Sequence, residues 1–186
     1  MPVAYGPAGE AIGNGMSIWW SLQLRREAAS VPLARRLLLR TMETAGVDPD
    51  ISYELSVALS EACANAVEHG GPAPAAEPCG DYRVTAYLDG DCCRIEVTDS
   101  GPGFPDPGPA ALSRRARAAA SGPAAGSAAG DEGSGEGAVG ESGRGLWLIE
   151  ELADHVRFRN RPGRGAVVSF DKILKWRDGA ALLQVS

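Results

Sequence analysis

Glu61, Asn65 and His69 recur every fourth residue in the run Glu61-Ala62-Cys63-Ala64-Asn65-Ala66-Val67-Glu68-His69-Gly70. On a helix this spacing projects all three from one side, drifting about 40° per step. A carboxamide oxygen suits Mg²⁺, which keeps most of its waters and takes one or two protein oxygens together with phosphates. A carboxylate one turn earlier can accept the proton of a hydroxyl approaching a terminal phosphate. Further on, Asp99 leads Asp99-Ser100-Gly101-Pro102-Gly103-Phe104 from the end of an apolar strand. An acceptor-only group there can take a hydrogen bond from an exocyclic amine such as adenine N6. Gly101 and Gly103 permit close backbone approach, and Phe104 can cover a flat ring. A third run, Gly143-Arg144-Gly145-Leu146, lies where a glycine-rich stretch enters a helix. Free N–H groups at such an N-terminus seat phosphate, and Arg144 can add a charge-assisted contact. Taken singly, each run also reads plainly: a solvated helix face, an ordinary Asp-Ser-Gly-Pro-Gly turn, a glycine-rich helix cap. Taken together they make ATP with Mg²⁺ the ligand to expect. No GxxxxGK[ST] phosphate loop exists in the chain.

The elements that must position these residues follow from periodicity. Ser17 to Leu24 alternates, with Ile18, Trp20, Leu22 and Leu24 on one face, as a half-buried strand does. Ser30 is the expected N-cap of a first helix that Gly46 closes. Asp48-Pro49-Asp50 opens a second, whose stripe of Leu55, Leu59, Ala62 and Ala66 would pack on a sheet opposite Glu61 and Asn65, with Gly70-Gly71-Pro72 as its stop. Two alternating strands, Tyr82 to Leu88 and Cys92 to Thr98, flank the hairpin turn Asp89-Gly90-Asp91. Pro105 to Ser142 is dominated by Gly, Ala, Ser and Pro and reads as a lid, with a short basic helix around Leu112 to Ala120. Order resumes at Gly143 with a helix, then strands His155 to Arg159 and Ala166 to Phe170, and a short helix is expected around Ile173, Leu174 and Trp176. Hairpin-joined strands cannot all be parallel. The expected fold class is therefore α/β (α+β): a two-layer sandwich of a mixed or antiparallel sheet with helices on one face and a long flexible lid. The expected organisation is a flexible tail over 1–15, one domain over 16–175 with its lid at about 105–142, and a C-terminal tail over 176–186.

Composition closes off other classes. A chain of 186 residues suits one domain with a proper core. The formal net charge of −6 argues against a nucleic-acid or anionic-membrane binder, whose footprint would be basic. Cys63, Cys79, Cys92 and Cys93 form no CxxC pair, and two histidines are too few to complete a zinc site. Reduced thiols fit a cytoplasmic protein. The N-terminus has no signal-peptide pattern, and no apolar run approaches the 18 residues of a membrane span.

The three runs in this order resemble the GHKL (Bergerat-fold) ATPase superfamily of gyrase, Hsp90, histidine kinase and MutL type. Glu61 to His69 looks like its N-box, Asp99 to Phe104 like its first glycine box and Gly143 to Leu146 like its second. The form E-A-x-x-N-A-x-x-H-G is most similar to the small bacterial anti-sigma-factor serine/threonine kinases. A sensor histidine kinase would need a phospho-accepting His on a helix pair before the N-box, and no His precedes Glu61. Gyrase and MutL types usually carry Asp-Ala where His69-Gly70 stands here. The resemblance implies Glu61 as catalytic base, Asn65 as Mg²⁺ ligand and Asp99 as the adenine N6 acceptor. It implies Gly101, Gly103 and Phe104 around the nucleotide, and Gly143, Arg144, Gly145 and Leu146 on the phosphate side. Two departures stand out. Gly165-Ala166 replaces the family's frequent Gly-Thr, removing a hydroxyl from the adenine network, and the lid is longer and more repetitive than usual.

Two functions are compatible with this resemblance. In the first, the protein binds a sigma factor and, with Mg-ATP, phosphorylates a Ser or Thr on an antagonist (anti-anti-sigma) protein. The basic helix Pro32 to Glu43, with Arg35, Arg36 and Arg40, would dock an acidic partner or is simply a solvated face. In the second, ATP only gates which partner is bound and no phosphoryl group moves. A trans-acting ATPase module of a sensor kinase system is a third option. An unpaired first strand carrying Trp19 and Trp20 would suit a homodimer. Glu61 separates the first two, since a pure binder has no use for a base.

Overall fold

The computed structural model describes residues 17–71, 80–104, 137–161 and 165–178. Five strands form one sheet: β1 (Ile18–Arg25), β2 (Asp81–Asp89), β3 (Cys92–Thr98), β4 (His155–Arg161) and β5 (Gly165–Ile173). Three helices accompany them: α1 (Ser30–Ala45), α2 (Pro49–His69) and α3 (Gly137–Leu152). The strand order is β1-β2-β3-β5-β4 and every neighbouring pair is antiparallel. The two-layer α+β sandwich expected from the sequence is thus present, with the choice between a mixed and an antiparallel sheet resolved to antiparallel. None of the described helices is long and apolar enough to cross a membrane.

Register follows the apolar alternation. Leu22 pairs with Val84 and Ala86 with Ile95, which in turn pairs with Phe170, so one face of the sheet carries a continuous apolar layer. A slip by one residue in any strand would turn its whole set to water, so burial fixes the pairing. α2 supplies the opposing layer through Leu55, Leu59, Ala62 and Ala66, all at most 3% exposed. Each fully buried Leu or Ile contributes roughly 2 kcal/mol of transfer free energy. α2 is the central helix, packed against both α1 and α3 and lying over β2 and β3.

Local signals account for the helix ends. Asp48 Oδ1 accepts from the N–H of Asp50 at 2.9 Å and of Ile51 at 3.4 Å, with Pro49 in the first helical position. Gly46 takes the left-handed conformation (φ 82°) that ends α1, where Val47 N–H reaches the Met42 carbonyl. Ser30 is not the N-cap. Ala29 occupies that position without a side-chain cap, and Ser30 Oγ instead donates to the Glu27 carbonyl and pairs with the buried Tyr82 hydroxyl, each at 2.7 Å. A hydroxyl as deeply buried as that of Tyr82 needs a partner, and this requirement takes Ser30.

Two further expectations change. α3 begins at Gly137, six residues before Gly143. The expected helix around Ile173 to Trp176 is replaced by extended chain. β5 runs to Ile173, Leu174 N–H donates to the Asp91 carbonyl at 2.8 Å, and Trp176 bridges to Val47. Trp176 Nε1 also donates to Asp91 Oδ1 at 2.9 Å, so the segment spans from the β2–β3 turn to the α1–α2 junction, which a helix could not do. The expected helix around Leu112 to Ala120, Cys79 and most of the expected lid lie outside the described residues.

Candidate functional site

The end of β3, the start of β5 and the end of α2 meet at Asp99. Its Oδ1 accepts the N–H of Gly101 at 2.9 Å and of Ala166 at 3.0 Å, while its own N–H donates to the Ala166 carbonyl at 3.0 Å. Oδ2 takes no hydrogen bond from the described residues and remains available to a donor. Two glycines let the chain come this close. At Gly165 (φ 95°) a Cβ would run into the Asp99 carbonyl and stand 2.7 Å from Asp99 Oδ1. At Gly101 it would stand 2.5 Å from the carbonyl carbon of Gly70 and 2.7 Å from the His69 carbonyl oxygen. Gly70 thus joins the site from the last turn of α2.

Gly103 (φ 86°) turns the chain beside Asn160 of β4. Asn160 Oδ1 accepts the Phe104 N–H at 2.7 Å and its Nδ2 donates to the Phe104 carbonyl at 3.1 Å, so one carboxamide clamps the peptide. The Phe104 ring is set edge-on to Phe158, centroids 5.6 Å apart. The ring is half-buried and packs against the core. Asn160 was not among the sequence candidates. Its signal was there: it is the polar residue at the end of the alternating stripe Val156, Phe158, Asn160.

About two turns earlier on α2, Glu61 and Asn65 face α3. A Cβ on Gly145 would lie 2.8 Å from Glu61 Oε2 and 3.6 Å from Asn65 Nδ2, so the absent side chain is what lets the helices close. Beside this contact lies a cleft of 420 Å³ lined by Glu61, Asn65 and Glu68 on one side and Arg144, Gly145 and Trp147 on the other. Burial, and secondarily the nearby Glu68 charge, raises the Glu61 pKa above the ordinary carboxylate value. Asn65 Nδ2 is shut off from solvent with no partner among the described residues. His69 is exposed and lies 3.6 Å from Glu68, apart from the cleft.

The second glycine run sits differently from its expectation. Gly143, Arg144, Gly145 and Leu146 lie inside α3, where interior N–H groups face carbonyls four residues back. The free N-terminal phosphate seat is therefore not formed at these residues. Arg144 is exposed at the cleft, and Leu146, 1% exposed, anchors α3 in the core.

Among the described residues no group of three or more His, Cys, Asp and Glu could hold a metal unaided. A divalent ion here would rest on Asn65 and on oxygens of its ligand. The buried, unpartnered carboxamide edge of Asn65 fits that use, since turning the amide over presents its oxygen at the same place.

The cleft and the Asp99 corner sit on one helix, separated by roughly 14 Å at 1.5 Å per residue between Glu61 and Gly70. One end offers a hydrogen-bond acceptor and the other a carboxylate and a carboxamide, as an elongated nucleotide requires. Among solved structures, the chain is similar to the crystal structure of the RsbU and RsbW domains of Rv1364c from Mycobacterium tuberculosis, with 20% identity and a TM-score of 0.54. The likeness covers 84% of this chain and 32% of that one, so the chain spans about a third of its length and shares its fold. No curated protein matches by sequence. The family model described as the histidine kinase-like ATPase domain matches residues 24–172. That span runs from Leu24 in β1 to Lys172 in β5 and takes in both ends of the site, so the chain belongs to the histidine kinase-like ATPase domain family, which implies ATP as its ligand.

Proposed function

We propose that the protein is a Mg-ATP-dependent serine/threonine kinase of a partner-switching system, binding a sigma factor and phosphorylating its antagonist. The observation that carries this is the shared cleft of Glu61 and Asn65, one helical turn apart, with Glu61 desolvated and its proton affinity raised. Asp99 Oδ2 would accept from the adenine amine. Asn65 would hold Mg²⁺, which when bound neutralises charge on the β- and γ-phosphate oxygens. The substrate hydroxyl oxygen bonds to the γ-phosphorus, the bond to the β-phosphate bridging oxygen breaks, and ADP leaves with that electron pair. Glu61 takes the hydroxyl proton.

The partner half rests on the motif form E-A-x-x-N-A-x-x-H-G and on an exposed face of α1. Arg36 and Arg40 are exposed one turn apart beside Leu33, whereas Arg35 turns its Nε into the protein. Docking of an acidic partner is accordingly assigned to Leu33, Arg36 and Arg40. A homodimer through edge strand β1 belongs to the same proposal, with Trp19 exposed and stacked on Tyr87, as does a cytoplasmic location.

The test is transfer of labelled γ-phosphate from ATP to candidate antagonists. Transfer by the native protein that disappears in Glu61→Ala, with ATP binding retained, is the expected result. Absence of transfer by the native protein to every antagonist would leave a nucleotide-gated binder in place of a kinase.

A further inference from the structure

Two side-chain donors on residues lining the cleft have no acceptor among the described residues. Besides Asn65 Nδ2, the indole Nε1 of Trp147 is closed off from water and unpaired among the described residues. A buried N–H left unsatisfied is costly, so each such group calls for an explanation. Trp20 Nε1 and Arg35 Nε are also unpaired among the described residues, but neither residue lines the cleft. At Trp147 the orphan shares its cleft with another orphan and with a cation. Arg144 and Trp147 lie three residues apart, so they occupy one face of α3, opposite Glu61, Asn65 and Glu68 of α2. Arg144 and two residues with unpaired N–H groups line the cleft across from the Glu61 and Glu68 carboxylates, a donor set that suits a phosphate oxygen.

We infer that Trp147 donates its indole N–H to a terminal-phosphate oxygen of the bound nucleotide and so discriminates the triphosphate from the diphosphate. Position along α2 selects the terminal phosphate. Trp147 lines the cleft two residues beyond Gly145, which packs against Glu61 and Asn65, whereas Gly70 and Asp99 mark the base end of the ligand. An α-phosphate would sit nearer the base, towards Gly70 and Asp99. The inference rests on ATP being the ligand of this cleft.

The test compares ATP and ADP binding by titration calorimetry for the full chain and for Trp147→Phe, which keeps a ring and removes the N–H. A hydrogen bond to a charged oxygen predicts about tenfold weaker ATP binding with ADP unchanged within about twofold. A second readout is the indole ¹H–¹⁵N spectrum, where four tryptophans give four signals and the one missing in Trp147→Phe is Trp147. That signal is expected to shift with ATP and to stay in place with ADP. Equal losses for ATP and ADP, no loss for either, or an indole signal indifferent to ATP would overturn the assignment to Trp147 while leaving ATP binding intact. A native chain that binds neither nucleotide would overturn the ATP reading itself.

Discussion

Asp99 and Ala166 hold each other from both sides: the Asp99 N–H donates to the Ala166 carbonyl, and the Ala166 N–H returns a bond to Asp99 Oδ1, each at 3.0 Å. The hydroxyl that a threonine would bring to position 166 is absent, yet the residue is tied to Asp99 through its main chain. The carboxylate is thereby aimed before any ligand arrives, with one oxygen committed and the other available.

Gly165 makes this pairing feasible, and Gly165→Ala should break it. The substitution adds a Cβ at φ 95° and drives it into the Asp99 carbonyl. A cost of about 2–4 kcal/mol is expected from strain and displacement together. Urea unfolding reads the loss of stability and an ATP titration the loss of binding. Unchanged unfolding and unchanged affinity would refute the role given to this glycine.

Asn160→Ala should act on the opposite side of the same corner. It removes both hydrogen bonds to Phe104, lowering stability by about 1–2 kcal/mol. ATP affinity should fall with it, because the Gly101 to Phe104 turn loses its clamp. Calorimetric titration beside a thermal melt checks both, and the Glu61 pKa should not move.

Glu68→Gln should shift the pH dependence of phosphoryl transfer. Burial first, then the Glu68 charge, raise the Glu61 pKa above its ordinary 4.5, and in the proposed kinase reaction Glu61 can take a proton only when ionised. Transfer therefore declines as pH falls through the raised pKa. Removing Glu68 lowers that pKa towards 4.5 without undoing the burial, so the acid limb of the pH–rate profile moves to lower pH. The stability consequence has the opposite sign: folded Glu61 holds its proton more tightly than unfolded, so its contribution is full below 4.5 and is lost as pH rises through the raised pKa. The variant should lose less on that rise and be slightly more stable at neutral pH. A carboxyl ¹³C titration of Glu61 that is identical in both proteins would contradict this.

Much of the architecture was legible because it is set by local patterns. Asp48-Pro49 and Gly46 mark helix ends by hydrogen-bonding and backbone conformation alone, and Leu55, Leu59, Ala62 and Ala66 announce a buried helix face by spacing. What failed were places where a distant residue makes the choice. Ser30 is claimed by Tyr82, and the Leu174 to Trp176 segment by Asp91 and Val47.

The same division runs through the site. The residue types and spacings of Glu61, Asn65 and Asp99 were enough to nominate a phosphate end and a base end, since donor and acceptor chemistry belongs to the side chain and helical spacing to the sequence. Only the tertiary structure decided that Gly70, Gly101 and Gly165 bring three chain segments against Asp99, that Asn160 clamps Phe104, and that Trp147 lines one cleft with Glu61 while its N–H is unpaired among the described residues. These relations join residues far apart in the chain, and close approach, burial and an unmet hydrogen bond exist only once the backbone has folded around them.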